Sequence, residues 1–299
     1  MIQPKFLAKG DLVGIVSASK KTEPHEIEFG LKLLQSWGLE VVLGEHIFAE
    51  DYFFAGTPEQ RTSDLQKMLD NPQMKAIFFT KGGYGLLQII DAFNFSGFKK
   101  YPKWVVGYSD VTVLHSHLNN LGYQTLHSVM LQGMNTATPE SITSVYDALF
   151  GKKISYTIPK NPKNKNISSK ISGELVGGNL SILYALLGSE SALITENKLL
   201  FIEDIDEYKY HLDRMLLGLD RTGCFENLKA LLVGAMIDIK DSTLPYGKTY
   251  EEIILERTKN YHFPVIFDVP VGHQSENKAL VLGNTYTISI NKDVVVEIL

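Results

Sequence analysis

Cysteine is nearly absent from this chain: Cys224 is the single one in 299 residues. No intrachain disulfide can form, and the residue reads as a small core filler. Long hydrophobic runs are missing too. Nothing approaches the roughly 20 apolar residues that a membrane-crossing helix needs. Basic charge is not in excess. Lys and Arg number 29 against 34 Asp and Glu, a net charge of -5, and the lack of a basic tract argues against nucleic acid as a partner. The opening residues Met1-Ile2-Gln3-Pro4-Lys5 lack the charged-then-apolar order of an export signal. With so little cysteine, the expectation is a cytoplasmic protein with no membrane partner. Metal motifs are also missing. There is no His-Glu-x-x-His and no paired Cys, and His115 and His117 stand two apart on a predicted helix, facing different ways. Neither a metal nor a cofactor is expected. No internal repeat or low-complexity tract is seen.

What is present is an ordinary globular balance, 44% hydrophobic and 21% charged. The length suits one large domain or two ordinary ones. Apolar runs at 12–16, 39–43, 75–79, 104–106 and 124–127 read as strands. Helical periodicity fills 23–37, 57–69, 86–93, the stretch after 110, and 139–150. Strands alternating with helices at this spacing predict parallel βαβ units, hence an α/β doubly wound sheet whose ligands bind at the carboxyl ends of its strands. Residues 159–166 are polar, with Pro159 and Pro162, and read as the start of a linker. Beyond it the pattern is mixed. Helices are predicted at 180–187, 207–219 and 249–260, and strands at 199–202, 228–236 and 265–267. The alternating tail, 280–299, with turns at Asn284 and Asn291-Lys292, reads as antiparallel strands. The division expected is 1–158, a linker over 159–172, and a smaller, mixed α+β domain over 173–299.

Trp104-Val105-Val106-Gly107-Tyr108-Ser109-Asp110 is the stretch around which the rest is arranged. A short buried strand stops at Gly107, and Asp110 caps the helix that follows, so Ser109 sits on a tight strand-to-helix turn. That is where a nucleophile elbow holds its hydroxyl clear of a sheet, although the full Gly-x-Ser-x-Gly form is absent. Lys81-Gly82-Gly83-Tyr84-Gly85 makes a second strand-to-helix turn, whose glycines let backbone N–H groups approach an anion. A seryl nucleophile needs a base, and the base needs a carboxylate to orient it. Among the histidines His273 differs, because Pro270 and Gly272 hold it on a rigid turn after a short apolar strand. Glu203 and Asp204 end a buried strand, where an acid must pair or reach a cavity. From the residues alone the orienting acid is Glu203, Asp204 or Asp110. A non-catalytic module binding a small anion at 81–85 also fits.

In order along the chain, Ala55-Gly56-Thr57 with Arg61, Lys81 to Gly85, Gly107-Tyr108-Ser109-Asp110-Val111-Thr112, Gly177-Gly178-Asn179-Leu180, Phe201-Ile202-Glu203-Asp204 with Asp213-Arg214, and Gly272-His273 resemble the LD-carboxypeptidases. That serine peptidase family also holds the microcin-immunity peptidases. The resemblance implies a flavodoxin-like N-terminal domain and a smaller β-rich α+β C-terminal domain meeting at the site, often in a homodimer, and a Ser-His-Glu triad of Ser109, His273 and Glu203. It also implies an oxyanion hole from the backbone of Asp110 and of Gly82 or Gly83. Lys81, Tyr84 and Tyr108 flank these groups and are candidates for contact with substrate. The activity implied is release of the terminal D-alanine from a muropeptide, or cleavage of an aminoacyl-nucleotide conjugate in the immunity branch. The sequence departs from the family at Lys81, where Arg is usual, and at Ser128-Val129, where Gly-Pro usually follows the histidine.

Overall fold

The computed structural model describes residues 1–159, 161–165, 170–290 and 293–298. The first half runs Leu12–Val16 (β1), Pro24–Ser36 (α1), Glu40–Leu43 (β2), Pro58–Asp70 (α2), Met74–Phe79 (β3), Leu86–Ile89 (α3), Ser96–Lys100 (α4), Trp104–Gly107 (β4), Thr112–Asn120 (α5), Thr125–His127 (β5) and Pro139–Leu149 (α6). The second runs Ser155–Ile158 (β6), Lys170–Asn179 (β7), Leu180–Ala185 (α7), Leu199–Ile205 (β8), Lys209–Arg221 (α8), Ala230–Ile237 (β9), Tyr250–Arg257 (α9), Val265–Ile266 (β10), Leu280–Leu282 (β11), Thr285–Ile290 (β12) and Val294–Ile298 (β13). Local chemistry sets several boundaries. Thr57 opens α2 with a capping box to Gln60 and Pro58 in the first turn. Lys103, fully buried, closes the same helix by donating to the carbonyls of Met68, Leu69 and Asn71. Burial pushes its ammonium down to about 8.

The first sheet has the order β11-β5-β4-β3-β1-β2, all parallel except β11. The run β2-β1-β3-β4-β5 is the flavodoxin-like order. It reverses at β1, so a crevice opens at the carboxyl ends of β1 and β3. The second sheet is β10-β9-β8-β7-β12-β13-β6, parallel from β10 to β7 and antiparallel beyond. The architecture is α/β in two parts. The sheets do not part the chain at one point, however. β6, ahead of the expected linker, joins the second sheet, and β11 returns to pair with β5 in the first.

Part of the expected linker, residues 160 and 166–169, lies outside the described residues, as does the turn expected at residues 291–292. Within the described part, Asn161 donates to Asp268 and Lys165 bridges to Val265. The helix expected over 86–93 is broken: α3 gives way to a 3₁₀ turn at Ile90–Ala92. One hydrophobic core holds Val13, Ile15, Phe78 and Val106 of the first sheet with Phe201, Leu232 and Tyr286 of the second. The groove between the sheets therefore has a packed floor. Among the described residues no helix is long and apolar enough to cross a membrane.

Candidate active site

Ser109 has φ of 61°, in the left-handed region. A non-glycine residue there costs of order 1–3 kcal/mol and persists only where its surroundings fix it. Here they do. The carboxylate of Asp110 accepts from the Ser19 hydroxyl and from Leu86 N at 2.9 Å, tying the turn to the loop after β1 and to the start of α3. The Gly107 carbonyl accepts from Ser128 N at 3.0 Å and lies 2.8 Å from His115 Nε2. The Thr112 hydroxyl, in the first turn of α5, accepts from Asn179 N at the end of β7. Asp110 is thus consumed as a brace and is not the partner of an imidazole. Burial pushes its carboxyl upward against the hydrogen bonds that hold it down.

Gly82 lies against this turn: a β-carbon on it would stand 3.0 Å from both Cβ and Oγ of Ser109. Only glycine lets the turn after β3 come so near the hydroxyl. Arg61, buried, fixes that turn from behind by donating to the carbonyls of Ala18 at 3.1 Å and Gly85 at 3.0 Å. The loop after β1 and the turn after β3 are therefore one rigid unit.

His273 approaches from the second sheet. Its Nδ1 lies 2.7 Å from Glu203 Oε2, and Glu203 is fully buried in β8. Burial opposes the imidazolium, but the charge and hydrogen bond of Glu203, with Asp204 beyond, outweigh it and raise the His273 pKa above its ordinary 6.5. Tyr108 lies with its ring 4.7 Å from that of His273. Its phenol is pushed up to about 12 by burial and by Glu203, so it stays neutral. Gly272, with φ of 121°, lets Glu203 pass beneath the histidine. A β-carbon there would stand 3.0 Å from Glu203 Cβ and Oε2. Gly272→Ala is expected to destabilise the fold by about 1–3 kcal/mol through backbone strain and overpacking. A denaturant melt that matches the wild type would contradict this.

Asp204 has a different task. It accepts from Asn179 Nδ2, from Ser181 N and Oγ, and from Ile205 N, so it anchors the start of α7. Burial first, and then the charge of Glu203, pushes its carboxyl up to about 6. The structure therefore pairs His273 with Glu203 and gives both other acids to the scaffold. Of the Asp213-Arg214 pair in α8, Asp213 binds Arg257 and Arg214 lies over the Tyr210 ring, so neither holds Glu203.

Ser109, Gly82, Gly83, Tyr108 and His273 line one solvent-open cavity of about 940 Å³. Lys81 lines it too, but its ammonium sits 2.9 and 2.7 Å from the two oxygens of Glu26, which also accepts from Gln132 and from Glu23 N. This clamp ties the turn to α1. Tyr84 is not among the residues lining the cavity. Its ring is 6.0 Å from that of Phe54, and it stands nearly half exposed. Sequence reasoning missed Glu26, Gln132 and Asn277. Asn277 Oδ1 accepts from Gly272 N and so steadies the turn that carries His273. Nothing in their spacing marks them out.

The geometry can be set beside known proteins. A sequence model of the LD-carboxypeptidase N-terminal domain matches residues 13–128, and one of the LD-carboxypeptidase C-terminal domain matches residues 172–288. A probable murein peptide carboxypeptidase of Bacillus subtilis is 34% identical, covering 94% of this chain and 89% of that protein. The murein tetrapeptide carboxypeptidase of Pseudomonas aeruginosa is 27% identical, covering 94% of each. Among solved structures, a muramoyltetrapeptide carboxypeptidase from Oxalobacter formigenes superposes with a TM-score of 0.87 at 23% identity, over 96% of this chain and 98% of that one. The microcin C7 self-immunity protein, in complex with aspartyl sulfamoyl adenosine, also gives 0.87, at 22% identity over 100% and 99%. These two share the fold. The matched domain models, with a relative more than 30% identical along most of its length, show that the chain belongs to the LD-carboxypeptidase family.

Proposed function

We propose that this protein is a serine LD-carboxypeptidase that releases the terminal D-alanine from murein tetrapeptides, with Ser109 as nucleophile, His273 as base and Glu203 as its orienter. The observation that carries the reading is the His273–Glu203 pair, 2.7 Å apart, opening on the same cavity as a serine held at φ of 61°. Glu203 takes Nδ1–H and leaves Nε2 to act as the base. Ser109 Oγ attacks the carbonyl before the terminal residue as its proton passes to His273. The oxyanion forms against the backbone N–H of Asp110 and of Gly82 or Gly83, each donor worth about 3 kcal/mol of barrier. His273 then gives the proton to the leaving amine of D-alanine. Water, activated by the same imidazole, releases the shortened peptide from the acyl-enzyme.

Of the flanking residues, Tyr108 acts by packing on His273, and Lys81 by holding the turn. A homodimer and a role in murein recycling complete the proposal on the strength of the resemblance, a cytoplasmic location on the sequence alone, and a division of the chain at residues 158 and 173 on its polar segment, with β6 and β11 each pairing across it.

A tetrapeptide stem ending in D-alanine, incubated beside its all-L counterpart and followed by mass analysis, tests it. The expected result is loss of one alanine from the first peptide alone. Equal cleavage of both, or of neither, would overturn the reading. Cleavage of an aminoacyl sulfamoyl adenosine instead would favour the immunity branch.

A further inference from the structure

A carboxypeptidase has to tell a chain end from a chain interior, and the difference is one negative charge. Three lysines stand on the wall of the cavity: Lys20, Lys21 and Lys81. Lys21 is paired with Glu50, and Lys81 with Glu26. Lys20 has no carboxylate partner among the described residues; its ammonium lies 5.4 Å from the centre of the Phe53 ring. Lys20 is exposed, but the root of its side chain lies against the glycine turn. A β-carbon on Gly83 would stand 3.1 Å from Lys20 Cβ and 3.7 Å from both Lys20 Cδ and Phe53 Cζ. So Gly82 and Gly83, neighbours on one turn, touch Ser109 on one side and Lys20 on the other.

We infer that Lys20 is the group that recognises the free α-carboxylate of the residue to be released. The inference rests on the carboxypeptidase reading above and adds the specificity element to it. The carboxylate of a terminal residue lies roughly 4 Å beyond the scissile carbonyl, one residue's length. A lysine on the loop after β1, its root against the glycine turn that touches the nucleophile, can span that distance. Its charge is uncompensated, as an anion site requires, and Phe53 restricts the ammonium without neutralising it. A single lysine suits a monoanion. A phosphate would call for several converging donors, and the acid of Glu23 on the same wall works against a polyanion.

The test compares kcat/KM for a tetrapeptide ending in D-alanine with that for its C-terminal carboxamide, in wild type, Lys20→Met and Lys20→Arg. Wild type is expected to favour the acid by about 10- to 100-fold, the range of a charged hydrogen bond. Lys20→Met is expected to bring the ratio close to 1, chiefly by raising KM for the acid, and Lys20→Arg to keep most of the preference. A Lys20→Met enzyme that still discriminates as wild type does overturns the inference, whatever its absolute rate. Labelling of Ser109 by a fluorophosphonate, measured in each variant, checks that the site is folded.

If wild type is labelled but cleaves neither peptide, the activity reading has failed, and Lys20 is judged by protection. D-alanine should slow the labelling more than D-alaninamide does in wild type and equally in Lys20→Met. The same difference in both proteins sinks the inference.

Discussion

Ser109→Ala is expected to lower kcat by about 10⁴-fold or more while the fold survives. In the mechanism proposed above, the hydroxyl oxygen of Ser109 forms and then breaks the bond to the acyl group. The carboxylate of Asp110, next in sequence, is occupied by Ser19 and Leu86. The backbone is indifferent to the change, because alanine at φ of 61° carries the same strain as serine. Ser109→Gly removes the same hydroxyl and the strain together. It should be just as inactive, yet more stable than Ser109→Ala by up to about 1 kcal/mol. Turnover of the tetrapeptide and thermal melts of the two variants check both halves. Near wild-type turnover in either protein would remove Ser109 from the mechanism. A glycine variant less stable than the alanine one would mean that the turn is not strained.

The elbow was legible in the sequence because its signals are local. An apolar run, a glycine, a small polar residue and an acid at a helix start all fall within 104–110, and local chemistry suffices to read them. The partner acid was not legible. Glu203 and Asp204 lie in a buried strand and Asp110 follows one, and a sequence does not say which carboxylate is held by other partners. Asp110 is taken by Ser19, 91 positions earlier, and Asp204 by Asn179 and Ser181. Only Glu203 is left facing an imidazole 70 positions away.

β7 was missed for a related reason. Gly173, Gly177 and Gly178 interrupt its pattern and are poor strand formers, yet the strand is fixed by β8 on one side and β12 on the other. β11 shows the limit most plainly. Three apolar residues announce a strand but not its partner, and the pairing with β5 closes the edge of the other sheet. Lys81 precedes the glycine turn and does line the cavity, but its ion pair is invisible in the sequence. The acid that holds it, Glu26, lies in α1, where the sequence shows only a solvated helix start.

Glu203→Gln should cost less than loss of the nucleophile, about 10²- to 10³-fold in kcat, and should move the pH profile. A glutamine can present its NH₂ to Nδ1, which places the ring proton on Nε2 and denies the serine its base. The electrostatic effect has a definite sign. In wild type, burial holds the imidazolium down, and Glu203 more than reverses it. The base must be neutral to work, so wild-type activity should rise through a pKa above the ordinary 6.5 of histidine. With the charge of Glu203 gone, burial is opposed only by the more distant Asp204. The His273 pKa falls, and the acidic limb of kcat/KM moves to lower pH even as the plateau drops. Asp204→Asn is the control, since Asp204 reaches His273 by charge alone and its hydrogen bonds go to α7. It should shift the acidic limb slightly in the same direction and keep the plateau within about tenfold. If Asp204→Asn proves the more damaging change, or if the limb in Glu203→Gln moves to higher pH, the carboxylate that governs the imidazole is not Glu203.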